Sequence, residues 1–238
     1  MPVAGGHGGR GEGDRQFLSQ PFPMLRAMAE STVVIMSDTV VADFWFDPSC
    51  PYTWLTSRWL VEVGRVRPVE VRWHVMSLSV LNEGRDDDPE GDPEGYLWVP
   101  ARICAVVQHD HGQEALGRLY TALWTTGSGD WIGDLREALA TAGLPVELAE
   151  AGLSTEYDDL VRASHSEGVG LIGDHVGTPI ISVDGGRVVF FGPVVSRVPR
   201  DEAAGRLWDG TLLVAGTPGF HELKGRPHEE PLLERDHA

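Results

Sequence analysis

Cys50 lies in the run Asp47-Pro48-Ser49-Cys50-Pro51-Tyr52-Thr53, where a strand-like segment delivers it onto the start of a helix-like one. Unpaired first-turn amides and the helix dipole both favour negative charge at such a sulfur. In comparable settings a cysteine pKa falls from roughly 8.5 to between about 3.5 and 7.5. The spacing therefore predicts a reactive thiolate; the alternative is a small hydrophobe packed at a turn. Pro51 suits the first helical turn, where its missing amide proton has no partner to lose. Thr53 can donate a hydrogen bond to the thiolate, or else is a solvated first-turn residue. Tyr52 is placed to shape the mouth of the site.

The elements that position this cysteine are legible on either side of it. Val40-Val41-Ala42-Asp43-Phe44-Trp45-Phe46 is β-branched and aromatic, as a buried strand is. Trp54, Leu55, Trp59, Leu60 and Val63 recur at helical spacing. A second strand, Val69 to Met76, completes a βαβ unit, which predicts parallel pairing. An acidic, proline-broken stretch, residues 82–95, marks a boundary. Beyond it helices are expected at about 98–111, 114–125, 131–142, 145–151 and 155–168. Two strands, Ile180 to Val183 and Val188 to Phe191, follow around the turn Asp184-Gly185-Gly186, and a helix over Arg200 to Leu207 closes the pattern. The order predicts an α/β chain of thioredoxin-like fold: residues 38–81 and 169–225 form that domain, 82–168 an inserted all-helical subdomain, and 226–238 a flexible tail. Residues 1–37, glycine-rich at the start, read as a disordered extension, and Met36 as an alternative translation start.

Composition limits the partners. The 238 residues are 42% hydrophobic and carry a formal charge of −17, which disfavours nucleic acid and anionic membrane surfaces. The two cysteines, Cys50 and Cys104, do not make a secreted disulfide framework, and no apolar run suggests a span or signal core, so a cytoplasmic location is expected. Cys104, within Ile103-Cys104-Ala105-Val106-Val107, reads as core. His74, on a strand two residues from Met76, is a candidate general acid or base; a hydrogen-bonded core histidine is the competing reading. His109, Asp110 and His111 point in different directions on a helix, so no metal site is expected. His165 and the carboxyl-terminal histidines are expected on the surface.

Six segments together carry a resemblance: Ala42 to Pro48, Thr56-Ser57-Arg58-Trp59, His74 to Leu78, Ala142-Gly143-Leu144-Pro145, Val176-Gly177-Thr178-Pro179 and Phe190-Phe191-Gly192-Pro193. From about Val41 to Lys224 the chain resembles the DsbA-like thioredoxin-fold family, and within it the actinobacterial mycothiol-dependent nitroreductase type. Lys224 being the only lysine agrees with such a source. The resemblance implies that Thr178-Pro179 is the cis-proline of this fold, with Thr178, Pro179, Pro51 and Tyr52 binding substrate or cofactor and Cys50 and Thr53 catalytic. It departs from the family at Thr53, where the nitroreductase type carries a second cysteine, and over residues 125–130, where relatives are more polar.

The resemblance implies an enzyme, a mycothiol-dependent thiol-disulfide oxidoreductase or reductase working through one cysteine. A mycothiol-dependent isomerase or thiol transferase acting on a small electrophile is the alternative, and a non-catalytic thioredoxin-fold binding protein a second one. Expected partners are a small thiol and a small electrophilic or disulfide substrate, with a homodimer as a candidate assembly.

Overall fold

β1 (Val40–Phe46) pairs in parallel with β2 (Val69–Val75), in register from Val40 against Val69 to Phe46 against Val75. The computed structural model describes residues 39–87, 89–126 and 132–233, so the expected extension, the supposed start at Met36 and the departure at residues 127–130 lie outside the described residues. Between the two strands runs α1 (Pro51–Val66). β3 (Ile180–Val183) pairs antiparallel to β1, and β4 (Val188–Phe191) antiparallel to β3, giving the sheet order β2-β1-β3-β4. A parallel βαβ unit joined to a ββα unit in this order is the thioredoxin-like fold.

Strand alternation sends β1 side chains to opposite faces of the sheet. Phe44 and Phe46 meet Trp73 and Tyr120 on one face, with the Phe46 and Tyr120 rings 3.8 Å apart, and the fully buried Trp59 and Leu60 of α1 join this cluster. Each such side chain contributes about 1.5–3 kcal/mol of transfer free energy. On the other face Trp45 packs with Met76, Ile180 and the half-buried Val169 and Ile172.

The inserted segment begins after the short α2 (Leu78–Leu81). Asp92 accepts hydrogen bonds from the Tyr96 and Leu97 amides, and α3 (Trp98–Thr125) follows. The two helices expected at 98–111 and 114–125 are one helical run bent at Gly112, whose φ of 81° a side chain disfavours. α4 (Leu135–Thr141) starts on the Asp134 cap, and Val146–Leu153 is a 3₁₀ helix. α5 (Asp158–Ile172) outruns the boundary read at residue 168 and ends on the sheet, where a Cβ at Gly168 would lie 2.7 Å from Trp45. α6 (Asp201–Ala215) also runs well past Leu207; its second half holds Asp209-Gly210-Thr211, which weakens the helical pattern, but Trp208, Leu212 and Ala215 pack on the core.

Gly117 of α3 packs against a strand side chain of the sheet. A Cβ there would lie 2.5 Å from Trp73, whose ring is held by Phe44, Phe46 and Tyr120. Gly117→Ala should therefore destabilise the protein by about 1–3 kcal/mol despite alanine's better helix propensity. Denaturant melts compared with wild type read this directly, and an unchanged midpoint contradicts it.

Candidate active site

Cys50 is itself the N-cap of α1. Its backbone is extended (φ −83°, ψ 115°), its carbonyl accepts the Trp54 amide at 3.0 Å, and Pro51 opens the helix. The turn delivering it is pinned at three points. Asp47 Oδ1 accepts the Ser49 amide at 2.8 Å, Asp47 Oδ2 accepts the Leu78 amide at 2.7 Å, and Trp124 Nε1 donates to the Pro48 carbonyl at 3.0 Å. Trp124 in turn stacks on Trp54, with ring centroids 5.7 Å apart. A side chain of the inserted segment thus helps to fix the cysteine turn.

The Thr178-Pro179 bond is cis, and the Thr178 hydroxyl sits where three chain segments meet. It accepts the Asp47 amide at 3.1 Å and the Thr53 hydroxyl at 3.3 Å, and it donates to the Trp45 carbonyl at 3.4 Å. Thr53 is fully buried, not solvated, and its hydroxyl lies near enough to act on the Cys50 thiol. Cys50, Thr53, Thr178 and Pro179 are thereby brought together. Tyr52 faces outward, donating its hydroxyl to the Glu229 carbonyl at 3.0 Å.

Burial changes the acid–base reading. It pushes the Cys50 thiol up, opposed by hydrogen bonds from the Thr53 hydroxyl and amide, reinforced by the charge of Asp47, and opposed again by the Tyr52 amide. The thiol made acidic by its helix start is therefore corrected: at this partly buried cysteine, desolvation outweighs the favourable donors. Asp47, 1% exposed, is raised from 3.8 to about 6 by its own burial, against the hydrogen bonds from Leu78 and Ser49. Folding holds a proton on Asp47 that the unfolded chain releases, so the stability this group contributes is present at low pH and lost as pH rises through about 6. Alkylation of Cys50 should consequently be slow at neutral pH and keep climbing into the alkaline range. Asp47→Asn, by removing a neighbouring negative charge, should speed it about threefold at neutral pH. A rate already level at pH 7 in wild type contradicts this.

His74 lies on β2. Its Nε2 meets Asp43 Oδ1 at 2.8 Å, its ring stacks on Trp45, and Asp43 also binds Arg72 at 2.6 Å. The groups acting on Cys50 are Thr53, Tyr52 and Asp47. His165, expected at the surface, is 6% exposed, and its Nδ1 accepts the Ser77 amide at 3.5 Å. Cys104 is fully buried and its thiol is pushed up strongly, as a core position demands. Sequence reasoning gave no role to Asp47, Ser49 or Trp124. For Asp47 a signal existed: a carboxylate at the end of an apolar strand, three residues before a cysteine. Ser49 Oγ is buried without a hydrogen-bond partner among the described residues.

No helix among the described residues is long and apolar enough to cross a membrane. The model of the Rv2466c-like family, described as mycothiol-dependent nitroreductase Rv2466c, matches residues 49–225. An uncharacterized protein of Mycobacterium tuberculosis, Rv2286c, is 32% identical over 191 residues, covering 76% of this chain and 80% of that protein. Among solved structures, the cytosolic disulfide reductase DsbM from Pseudomonas aeruginosa with GSH is 17% identical, at a TM-score of 0.44 over 73% of this chain and 99% of that one. The reduced form of the disulfide bond oxidoreductase DsbG from Mycobacterium tuberculosis is also 17% identical, at a TM-score of 0.44 over 74% and 87%. The family match spans most of the chain and takes in Cys50, Thr53 and Thr178-Pro179, so this chain belongs to the Rv2466c-like family of oxidoreductases, whose namesake is a mycothiol-dependent nitroreductase.

Proposed function

We propose that this protein is a thiol-disulfide oxidoreductase that works through Cys50 alone and takes its second sulfur from a small thiol of the mycothiol type. The observation that carries the reading is Thr53: a hydroxyl occupies the place of a resolving thiol, and the other cysteine, Cys104, is fully buried. Cys50 Sγ, as thiolate, attacks one sulfur of a disulfide, so that a Cys50 mixed disulfide forms and the other sulfur leaves as a thiolate that takes up a proton. A mycothiol-type thiol supplies the sulfur that frees Cys50 from this mixed disulfide and itself leaves in a disulfide. The two exchanges balance, because the disulfide consumed and the disulfide released hold the same pair of oxidising equivalents.

Each residue around the sulfur has a part in this cycle. Thr53 Oγ and the Thr53 and Tyr52 amides stabilise the Cys50 thiolate each time it forms. Thr178 holds the turn and the helix start in one geometry. A raised thiol pKa leaves fewer thiolates at neutral pH, but each is the stronger nucleophile. The fit of a mycothiol-type thiol rests on Ser49 Oγ, a buried hydroxyl next to Cys50 without a hydrogen-bond partner among the described residues, together with the hydroxyls of Thr53 and Thr178. Neutral hydroxyl donors and acceptors match a polyhydroxylated, uncharged thiol.

A second reading, a mycothiol-dependent isomerase or transferase, is favoured by the same Thr53, since chemistry with a noncovalently held thiol needs no resolving cysteine. Incubation with the oxidised small thiol followed by intact mass separates the two. A single covalent adduct on Cys50 supports the oxidoreductase, and none supports the alternative. We place the enzyme in the cytoplasm, in keeping with its two unpaired cysteines.

A further inference from the structure

The segment after residue 225 lies beyond the span matched by the family model, and its sequence reads as a flexible tail. In the structure residues 226–233 return to the first turn of α1 at Tyr52, two residues beyond Cys50. The Glu229 carbonyl accepts two hydroxyls, Tyr52 Oη at 3.0 Å and Ser196 Oγ at 2.9 Å. The His228 and Tyr52 rings lie 5.2 Å apart, and Arg197 pairs with Glu229 at 3.7 Å. Further along, the Leu232 amide donates to the Ser196 carbonyl at 2.9 Å, and Leu233 packs against the main core cluster. Ser196 belongs to the loop after cis Gly192-Pro193, which Thr56 of α1 holds through a 2.8 Å hydrogen bond to the Pro193 carbonyl. The tail therefore bridges the first turn of α1, two residues beyond Cys50, and the loop that follows β4.

We propose that residues 226–233 form a strap that selects substrates by size, passing a small thiol or disulfide to Cys50 and holding back a protein disulfide. This names the substrate class of the site and rests on the single-thiol reading above. The contacts suit a gate. Tyr52 is half-buried and Glu229 exposed, so the hydrogen bonds that close the strap sit at the surface, where local opening costs little compared with global unfolding. A small reagent can pass beside a closed strap, whereas a bulky one must wait for the strap to open.

Two reagents with the same chemistry and different bulk test this: N-ethylmaleimide, and a maleimide carried on a polyethylene-glycol chain of protein size, each followed at Cys50 by intact mass. Leu232→Pro removes the amide that pins the strap to Ser196. It should raise the bulky reagent's rate by about tenfold relative to that of N-ethylmaleimide, which corresponds to about 1.4 kcal/mol of opening free energy. Ser196→Ala, which deletes one hydroxyl from the Glu229 carbonyl, should act in the same direction more weakly, and it carries the test if circular dichroism shows Leu232→Pro unfolded. A ratio of rates equal in wild type and variant overturns the strap. Failure of the oxidised small thiol to form a Cys50 adduct, with the ratio still shifted, overturns the single-thiol reading and leaves the strap standing.

Discussion

Cys50→Ser should abolish thiol-dependent turnover, with a loss of about 10⁴-fold or more, because the exchange has no other nucleophile and removal of a nucleophile costs rates of this order. Serine is close to cysteine in size and is itself a preferred N-cap residue, so the fold should survive the change. Cys104→Ser is the matched control. It should retain activity while lowering stability by about 1–3 kcal/mol, since it places a hydroxyl in a fully buried apolar cluster. Steady-state rates beside denaturant melts read both quantities. A folded Cys104→Ser protein that has lost most of its activity would return Cys104 to the chemistry and contradict the single-thiol account.

Thr53→Cys should change the kind of chemistry and not merely its rate. Thr53 lies within the first turn of α1, fully buried, its hydroxyl hydrogen-bonded to Thr178 and acting on the Cys50 thiol. A thiol in that place is a resolving thiol: it attacks any mixed disulfide on Cys50 and expels the small thiol, closing an internal disulfide. Dependence of turnover on the small thiol should fall about tenfold or more, as an intramolecular attack replaces a bimolecular one. The oxidised variant should weigh less than its reduced form by the two hydrogens a disulfide loses. A variant that stays reduced under oxidised small thiol would mean that this position does not face Cys50 in solution.

The parts of this site legible in the sequence are those written in local pattern. Apolar strand, proline and periodic helix follow one another around Cys50, and the two hairpin strands flank their turn, so sheet and helix start could be read from short windows. What could not be read is carried by contacts distant along the chain. The bond from Tyr52 to Glu229 spans 177 residues, and that from Asp47 to Thr178 spans 131. His165 reads as one more histidine on an amphipathic helix until the Ser77 amide is seen to cover it. The Cys50 thiol shows the limit most plainly. The donors of the helix start are visible in the sequence, but the burial that outweighs them depends on how the helix, the loops and the Thr178 turn close around the sulfur. Asp47 depends likewise on the Leu78 amide, which arrives only when the second strand has paired.

The central claim is that Cys50 acts without a second protein thiol. Reduced wild-type protein incubated with oxidised mycothiol and weighed intact should gain one mycothiol on Cys50 and keep it until a small thiol is added, while Thr53→Cys under the same conditions should hold none and contain an internal disulfide. A wild-type protein that never takes up the adduct, under conditions that oxidise Thr53→Cys, would contradict the account and leave the isomerase or transferase reading in its place.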